Sequence, residues 1–299
     1  MSLVPELSRR AALRLGASAV AGAAGIWTFG ALVDPMQVPA DPSPFDPAAP
    51  AVPPAPAVPP APPVATPMPT KVSGSFISAA RGGVQTNWII ARPPGQTAAL
   101  RPVIALHGVR GNAKQVMSYG VEQVLADLAK AGRPPFAVVA VDGGDSYWHR
   151  RAGGEDAGAM VLNELIPMLS TMGLDTTRVG FMGWSMGGYG AMRLASRLGA
   201  ARTFAICAIS PALYLTYWGA PHDAFDGLDD FRKNSTINAA ELTSIPLRVD
   251  CGTGDGFCFA TREFVNQLPR QPAGGFYPGG HDAEFWRQHL PDELAWLAS

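Results

Sequence analysis

From Val72 onward the hydrophobic positions recur with two different periods, and their alternation predicts a regular order of strands and helices. Val72–Ala79 and Val84–Ala91 read as strands joined by Ala80-Arg81-Gly82-Gly83, the signature of a hairpin. Short continuous apolar runs follow at Pro102–Leu106, Phe136–Val141, Arg178–Met182, Thr203–Ile209 and Leu247–Val249. Such runs suit strands covered on both faces of a mainly parallel sheet. Between and after them, apolar residues fall at helical spacing over Val121–Ala131, Ala157–Met172, Met186–Leu198, Thr261–Leu268 and Ala283–Ala298. The order predicts an α/β fold: a doubly wound, mostly parallel sheet with an N-terminal hairpin and functional loops at the C-terminal ends of its strands. Leu213–Ser244 interrupts the alternation. It is too long for a plain connection and carries Tyr214, Tyr217, Trp218, Phe225 and Phe231, so a small cap insertion is expected over 213–244.

Before residue 71 the pattern is of another kind. Arg9, Arg10 and Arg14 precede an uncharged run rich in Ala and Gly, Leu15–Val33, which is the order of an export segment. Ser8-Arg9-Arg10-Ala11-Ala12-Leu13-Arg14 resembles a twin-arginine signal, and the 19-residue run that follows is also long enough to serve as a signal anchor. Residues 34–70 hold 15 of the 29 prolines and no glycine, which fixes φ and removes donors. That stretch is expected to be an extended polyproline linker reaching on the order of 100 Å. The chain is therefore expected to be exported, in the cell envelope or secreted, with membrane or cell-wall association through its N-terminus. The remaining domain, 71–299, carries 20 Lys plus Arg and 20 Asp plus Glu. That balance gives nucleic acid nothing to bind. Cys207, Cys251 and Cys258 all lie in the domain; Cys251 and Cys258 are near enough in sequence to pair, and three free thiols are the equal alternative.

One pentapeptide brings chemistry to this frame. Gly183-Trp184-Ser185-Met186-Gly187 fits G-x-S-x-G, and it stands where a predicted strand turns directly into a predicted helix. A serine at such a turn is held in a strained conformation with its hydroxyl presented, and the flanking glycines allow the close packing. Ser185 is the candidate nucleophile. It needs a base and a carboxylate to orient that base. His281, in the glycine-rich loop Pro278-Gly279-Gly280-His281-Asp282, is preferred over His289, which falls inside the last helix. Asp255 lies in the loop Gly252-Thr253-Gly254-Asp255-Gly256 and is preferred over Asp250, still within its strand; Asp282 reads as a helix N-cap. The oxyanion donors expected are the backbone N–H groups of Met186 and of Val109, in His107-Gly108-Val109-Arg110-Gly111. His107, Arg110, Trp148, Trp184 and Trp218 are candidate substrate contacts. With no metal-ligand spacing, phosphate loop or dinucleotide fingerprint, neither metal nor cofactor is expected, and the partner is a small-molecule or lipid ester.

The strings LHGVRG, GFMGWSMGGYGAM, DCGTGDGF and GGHDAEFW resemble the "putative esterase" branch of the α/β-hydrolase superfamily over most of residues 72–298. That branch includes esterase D, an S-formylglutathione hydrolase, and the mycolyltransferase antigens of mycobacterial walls. The resemblance implies the same nucleophile, acid, base and oxyanion donors. His107-Gly108-Val109-Arg110 stands where the mycolyltransferases carry D-G-L-R. The expected function is an exported serine esterase acting through an acyl-Ser185 intermediate. The alternatives are an acyltransferase moving an acyl group to a sugar or lipid hydroxyl, and a non-catalytic envelope-binding protein on the same fold.

Overall fold

The structure, a computed structural model, describes residues 66–236 and 240–299. The expected export segment 1–33 and residues 34–65 of the proline-rich linker lie outside them. Eight strands, β1 (Lys71–Ser78), β2 (Val84–Ala91), β3 (Pro102–Leu106), β4 (Ala137–Val141), β5 (Val179–Trp184), β6 (Thr203–Ile209), β7 (Leu247–Gly252) and β8 (Ala273–Tyr277), form one sheet in the order β1-β2-β4-β3-β5-β6-β7-β8. The β1–β2 hairpin is antiparallel and joins β4 antiparallel; every other pairing is parallel. Successive side chains of a strand point to opposite faces. On β3, accordingly, Ile104 and Leu106 enter one core while Val103 and Ala105 enter the other.

The first core is covered by α3 (Ala157–Ala159), α4 (Ile166–Thr171), α5 (Met186–Leu198) and α7 (Cys258–Gln267), the second by α1 (Ala113–Met117), α2 (Val121–Lys130) and α8 (Ala283–Leu297). The predicted helix 157–172 is one continuous coil whose middle, Met160–Leu165, widens into a π-helical turn. Within 213–244 the chain forms a 3₁₀ turn at Tyr217–Gly219 and α6 (Leu228–Asn234). Tyr214, Phe225 and Phe231 pack on the first core there, edge-to-face with ring centroids 5.1–6.3 Å apart. All three cysteines are free thiols.

Glu293 of α8 is fully buried, and neither of its carboxylate oxygens has a hydrogen-bond partner among the described residues. Burial, with the nearby charges of Asp250 and Asp292, pushes its carboxyl well above the usual range, and only Arg248 opposes them. The folded protein thus keeps a proton that the unfolded chain releases near about pH 4.3. Stability is lost as pH rises from there through the folded pKa, because the native state binds more protons over that window. Glu293→Gln keeps the shape and removes the ionisation. It is expected to melt above the parent by a margin that widens between about pH 5 and about pH 8; a margin independent of pH would contradict this.

Candidate active site

Ser185 sits between β5 and α5 with φ 57° and ψ −121°, a left-handed conformation that L-residues rarely adopt. The chain can turn so sharply because Gly183 and Gly187 lack side chains. A Cβ on Gly183 would strike the backbone of Gly187 and Leu106, and one on Gly187 the backbone of Leu106 and His107. Two backbone bonds to Ser185 O, from Tyr189 N at 3.1 Å and Ala212 N at 2.9 Å, hold the strained residue in place. Its hydroxyl is left free to face the loops at the C-terminal ends of the strands.

Those loops supply a continuous hydrogen-bonded line. His281 Nε2 lies 2.9 Å from Ser185 Oγ, and His281 Nδ1 lies 2.7 Å from Asp255 Oδ2. A carboxylate only accepts, so Nδ1 carries the ring proton and Nε2 is bare toward the serine hydroxyl. Asp255 is itself pinned: its other oxygen accepts from Phe257 N at 2.8 Å. Burial disfavours its charge, yet the bonds from His281 and the Phe257 amide outweigh it and hold its pKa below the ordinary carboxylate value. Asp282 begins α8 by accepting from Glu284 N and Phe285 N, both at 3.0 Å, which fixes the loop end that carries His281. The histidine ring stands between Phe257 and Trp286, at 5.1 and 5.4 Å, and is open to solvent on its remaining side.

Asp250 is fully buried and occupied elsewhere, bonded to Arg248 Nε at 2.6 Å and to Gly275 N at 3.1 Å. It plays no part in the line through His281. His289 is also buried, stacked on Tyr277 at 4.5 Å and packed on Phe285 at 4.4 Å.

The other expected site residues separate into two groups. Gly108 lies against Ser185, since a Cβ on it would stand 3.4 Å from Ser185 Cβ. Val109, next along, is 43% exposed at the mouth, and its N–H donates to nothing among the described residues. Met186 N–H, as the first of a helix, has no partner in the i→i−4 ladder. Met186 follows the serine directly in sequence, and Val109 follows Gly108, which lies against it. Arg110 has an exposed side chain and donates its backbone N–H to Asp145 Oδ1 at 2.6 Å. Trp218 is 84% exposed beside Tyr217. By contrast His107, Trp148 and Trp184 are no more than 1% exposed, so the expectation that they touch substrate is corrected. Trp148 fills the first core and Trp184 the second, because a bulky apolar ring gains more from burial than from lining an open mouth. The His107 ring lies against Trp148 and is bonded to the backbone of Gly108 and Gly143. Sequence reasoning missed the aromatic line behind His281: Phe257 meets Tyr214 at 5.5 Å, and Tyr214 Oη meets Tyr147 Oη at 2.9 Å. Among the described residues no group of three His, Cys, Asp or Glu side chains is placed to hold a metal ion.

A serine on a strand-to-helix turn, facing a histidine and a buried carboxylate at one end of a doubly wound sheet, defines a hydrolase of the α/β class. The comparisons with known proteins say which kind. The model of the "Putative esterase" family matches residues 85–297, and the chain belongs to that family; it is an ester-hydrolysing serine hydrolase. No curated protein matches the chain by sequence. Among solved structures, a ferulic acid esterase superposes with a TM-score of 0.66 at 19% identity, covering 76% of this chain and 97% of its own. A fluorophosphonate-binding serine hydrolase of Staphylococcus aureus gives 0.65 at 17%, covering 77% and 98%. An S-formylglutathione hydrolase from Agrobacterium tumefaciens gives 0.65 at 17%, covering 76% and 94%. At these identities the likeness is one of fold.

Proposed function

We propose that the chain is an exported serine esterase that cleaves carboxylic esters through an acyl-Ser185 intermediate. The observation that carries this reading is the line Ser185–His281–Asp255, closed by bonds of 2.9 and 2.7 Å. His281 Nε2 takes the Ser185 proton as Oγ bonds to the ester carbonyl carbon, and the carbonyl oxygen becomes an oxyanion received by the Val109 and Met186 N–H groups. Collapse of that adduct breaks the bond to the alcohol, which leaves with the proton from His281. Water then enters, gives its proton to His281, attacks the acyl carbon and releases the acid, and the proton returns to Oγ. The solvent-exposed face of His281 gives water this access.

Esters of one acid with several alcohols test the shared intermediate. In the presence of an added alcohol such as glycerol, all of them are expected to yield the same ratio of free acid to transfer product. A ratio that follows the leaving group would contradict an acyl-enzyme, and a ratio dominated by transfer at modest acceptor concentration would turn the reading toward an acyltransferase.

Export rests on Ser8–Arg14 and the apolar run behind it. Arg9→Lys with Arg10→Lys is expected to leave the enzyme in the cytoplasm when cells are fractionated; unimpaired export of this variant would overturn the twin-arginine route.

A further inference from the structure

We infer that His107 is the positioning residue of the oxyanion hole, a buried strut whose ring fixes the peptide that presents the Val109 N–H. The inference rests on the acyl-serine reading above and adds to it a residue that never meets the substrate.

His107 follows β3 directly and is 1% exposed. Its Nδ1 stands 2.7 Å from Gly108 O, and its Nε2 stands 2.9 Å from Gly143 N. A carbonyl can only accept and an amide N–H can only donate. The ring therefore has one permitted form, protonated at Nδ1 and bare at Nε2. Both nitrogens are consumed by backbone, so this histidine has no proton to offer a substrate and no lone pair to take one. Burial lowers its pKa and favours the neutral ring, against the nearby carboxylates of Asp142 and Asp145, which raise it, while Arg81 adds to the lowering. Protonation would set an Nε2–H against the Gly143 N–H.

What the ring holds is the more informative point. Gly108 O accepts a second bond from Gly111 N at 3.0 Å, so this carbonyl is gripped from two sides. The peptide that joins Gly108 to Val109 is planar and trans, which makes its N–H point opposite to its C=O. Turning the carbonyl inward onto the buried imidazole turns the Val109 N–H outward, to the mouth where Ser185 lies beside Gly108.

The strut is backed in turn. Trp148, wholly buried, meets the His107 ring edge-on with centroids 5.1 Å apart. Tyr147 and Trp148 both have positive φ, 54° and 55°, a pair of left-handed residues that only strong surrounding contacts would hold. Trp148 is held by Arg193 Nη1, which donates to its carbonyl at 3.2 Å, and it occupies the space where Gly143 and Gly190 would otherwise carry a Cβ. The Gly143 amide that fixes the histidine tautomer therefore belongs to the segment that Trp148 packs against.

A donor fixed before the reaction stabilises the developing oxyanion and leaves ground-state binding nearly alone, so its loss falls on kcat more than on KM. Two variants test this. His107→Leu fills the space and removes both bonds; His107→Asn keeps an amide N–H near the position of Nδ1. With rates normalised per serine labelled by a fluorophosphonate at completion, Leu is expected to lose about 10²–10³ in kcat with KM within about twofold, and Asn to recover at least about tenfold over Leu. A purely structural role would lower the labelled fraction and leave kcat per labelled site unchanged. Kcat per site within about threefold of the parent for Leu, or no advantage of Asn over Leu, would overturn the assignment. Failure of the parent enzyme itself to label at Ser185 would instead bring down the serine mechanism.

Discussion

Ser185→Ala is expected to reduce kcat for a p-nitrophenyl ester by about 10³–10⁶ while the melting temperature stays within a few degrees of the parent. The size of the loss follows from the site. Among the described residues Oγ makes no bond except that to His281, so its removal leaves β5, α5 and their glycine contacts intact. What disappears is the hydroxyl bonded to His281 Nε2, at the end of the line through Asp255. The backbone donors at Val109 and Met186 remain and account for any residual rate, since donors alone still stabilise attack by water. The strain at Ser185, φ 57°, is present in the alanine variant too, and Ala tolerates it no better than Ser. Stability should therefore change little in either direction. Near-normal hydrolysis by this variant, after purification free of other esterases, would exclude a serine mechanism.

His281→Ala is the second large effect, with an expected loss in kcat comparable to that of the serine variant because neither proton transfer can occur without the imidazole. His289→Ala, inside α8, separates packing from the chemistry of the loop that precedes it. His289 is buried between Tyr277 and Phe285, and its removal empties a ring-sized space. A melting temperature lower by several degrees is expected, with at least about a third of the activity kept per folded molecule. Measured side by side, the two variants should have opposite profiles: His281→Ala folded and inactive, His289→Ala weakened and active. An exchange of the two profiles would mean that the base had been assigned to the wrong histidine.

The parts of the site that were legible in the sequence are those where the chemistry forces a residue type onto a local backbone shape. Gly183 and Gly187 announce the turn at Ser185 because a Cβ at either would meet backbone. Asp255 was found by its loop after the strand β7, and His281 by the glycine-rich loop that leads into the last helix. The strand β8 was not legible. Its sequence, Ala273-Gly274-Gly275-Phe276-Tyr277, has two glycines that argue against a strand on propensity. They are there because β8 lies close on β7: a Cβ on Gly274 would meet Asp250, and Gly275 N donates to Asp250 at 3.1 Å. Missing β8 concealed Tyr277, and with it the reason why His289 is buried rather than on a helix surface. The short helices α1 and α6 span five and seven residues, too few to set up a readable period.

Trp148 and Trp184 were illegible for another reason. Position at the functional end of the sheet says nothing about which way a side chain turns. Trp148 turns inward through the left-handed pair at Tyr147 and Trp148, and no pattern of residue types predicts that pair. Trp184, as the last residue of β5, follows the alternation of its strand into the second core, beside Tyr119 at 5.2 Å. Both rings support the site from within.

The central claim is that Ser185 is the nucleophile, and the most direct measurement is the location of a covalent adduct. The full chain is treated with a fluorophosphonate, digested and read by mass spectrometry, with the Ser185→Ala and His281→Ala variants in parallel. The account predicts one phosphonate per chain on the peptide containing Ser185, none on the alanine variant, and labelling slowed by about 10³ or more when His281 is absent. An adduct on any other residue of the folded parent, or labelling of Ser185→Ala at the parent rate, would contradict it.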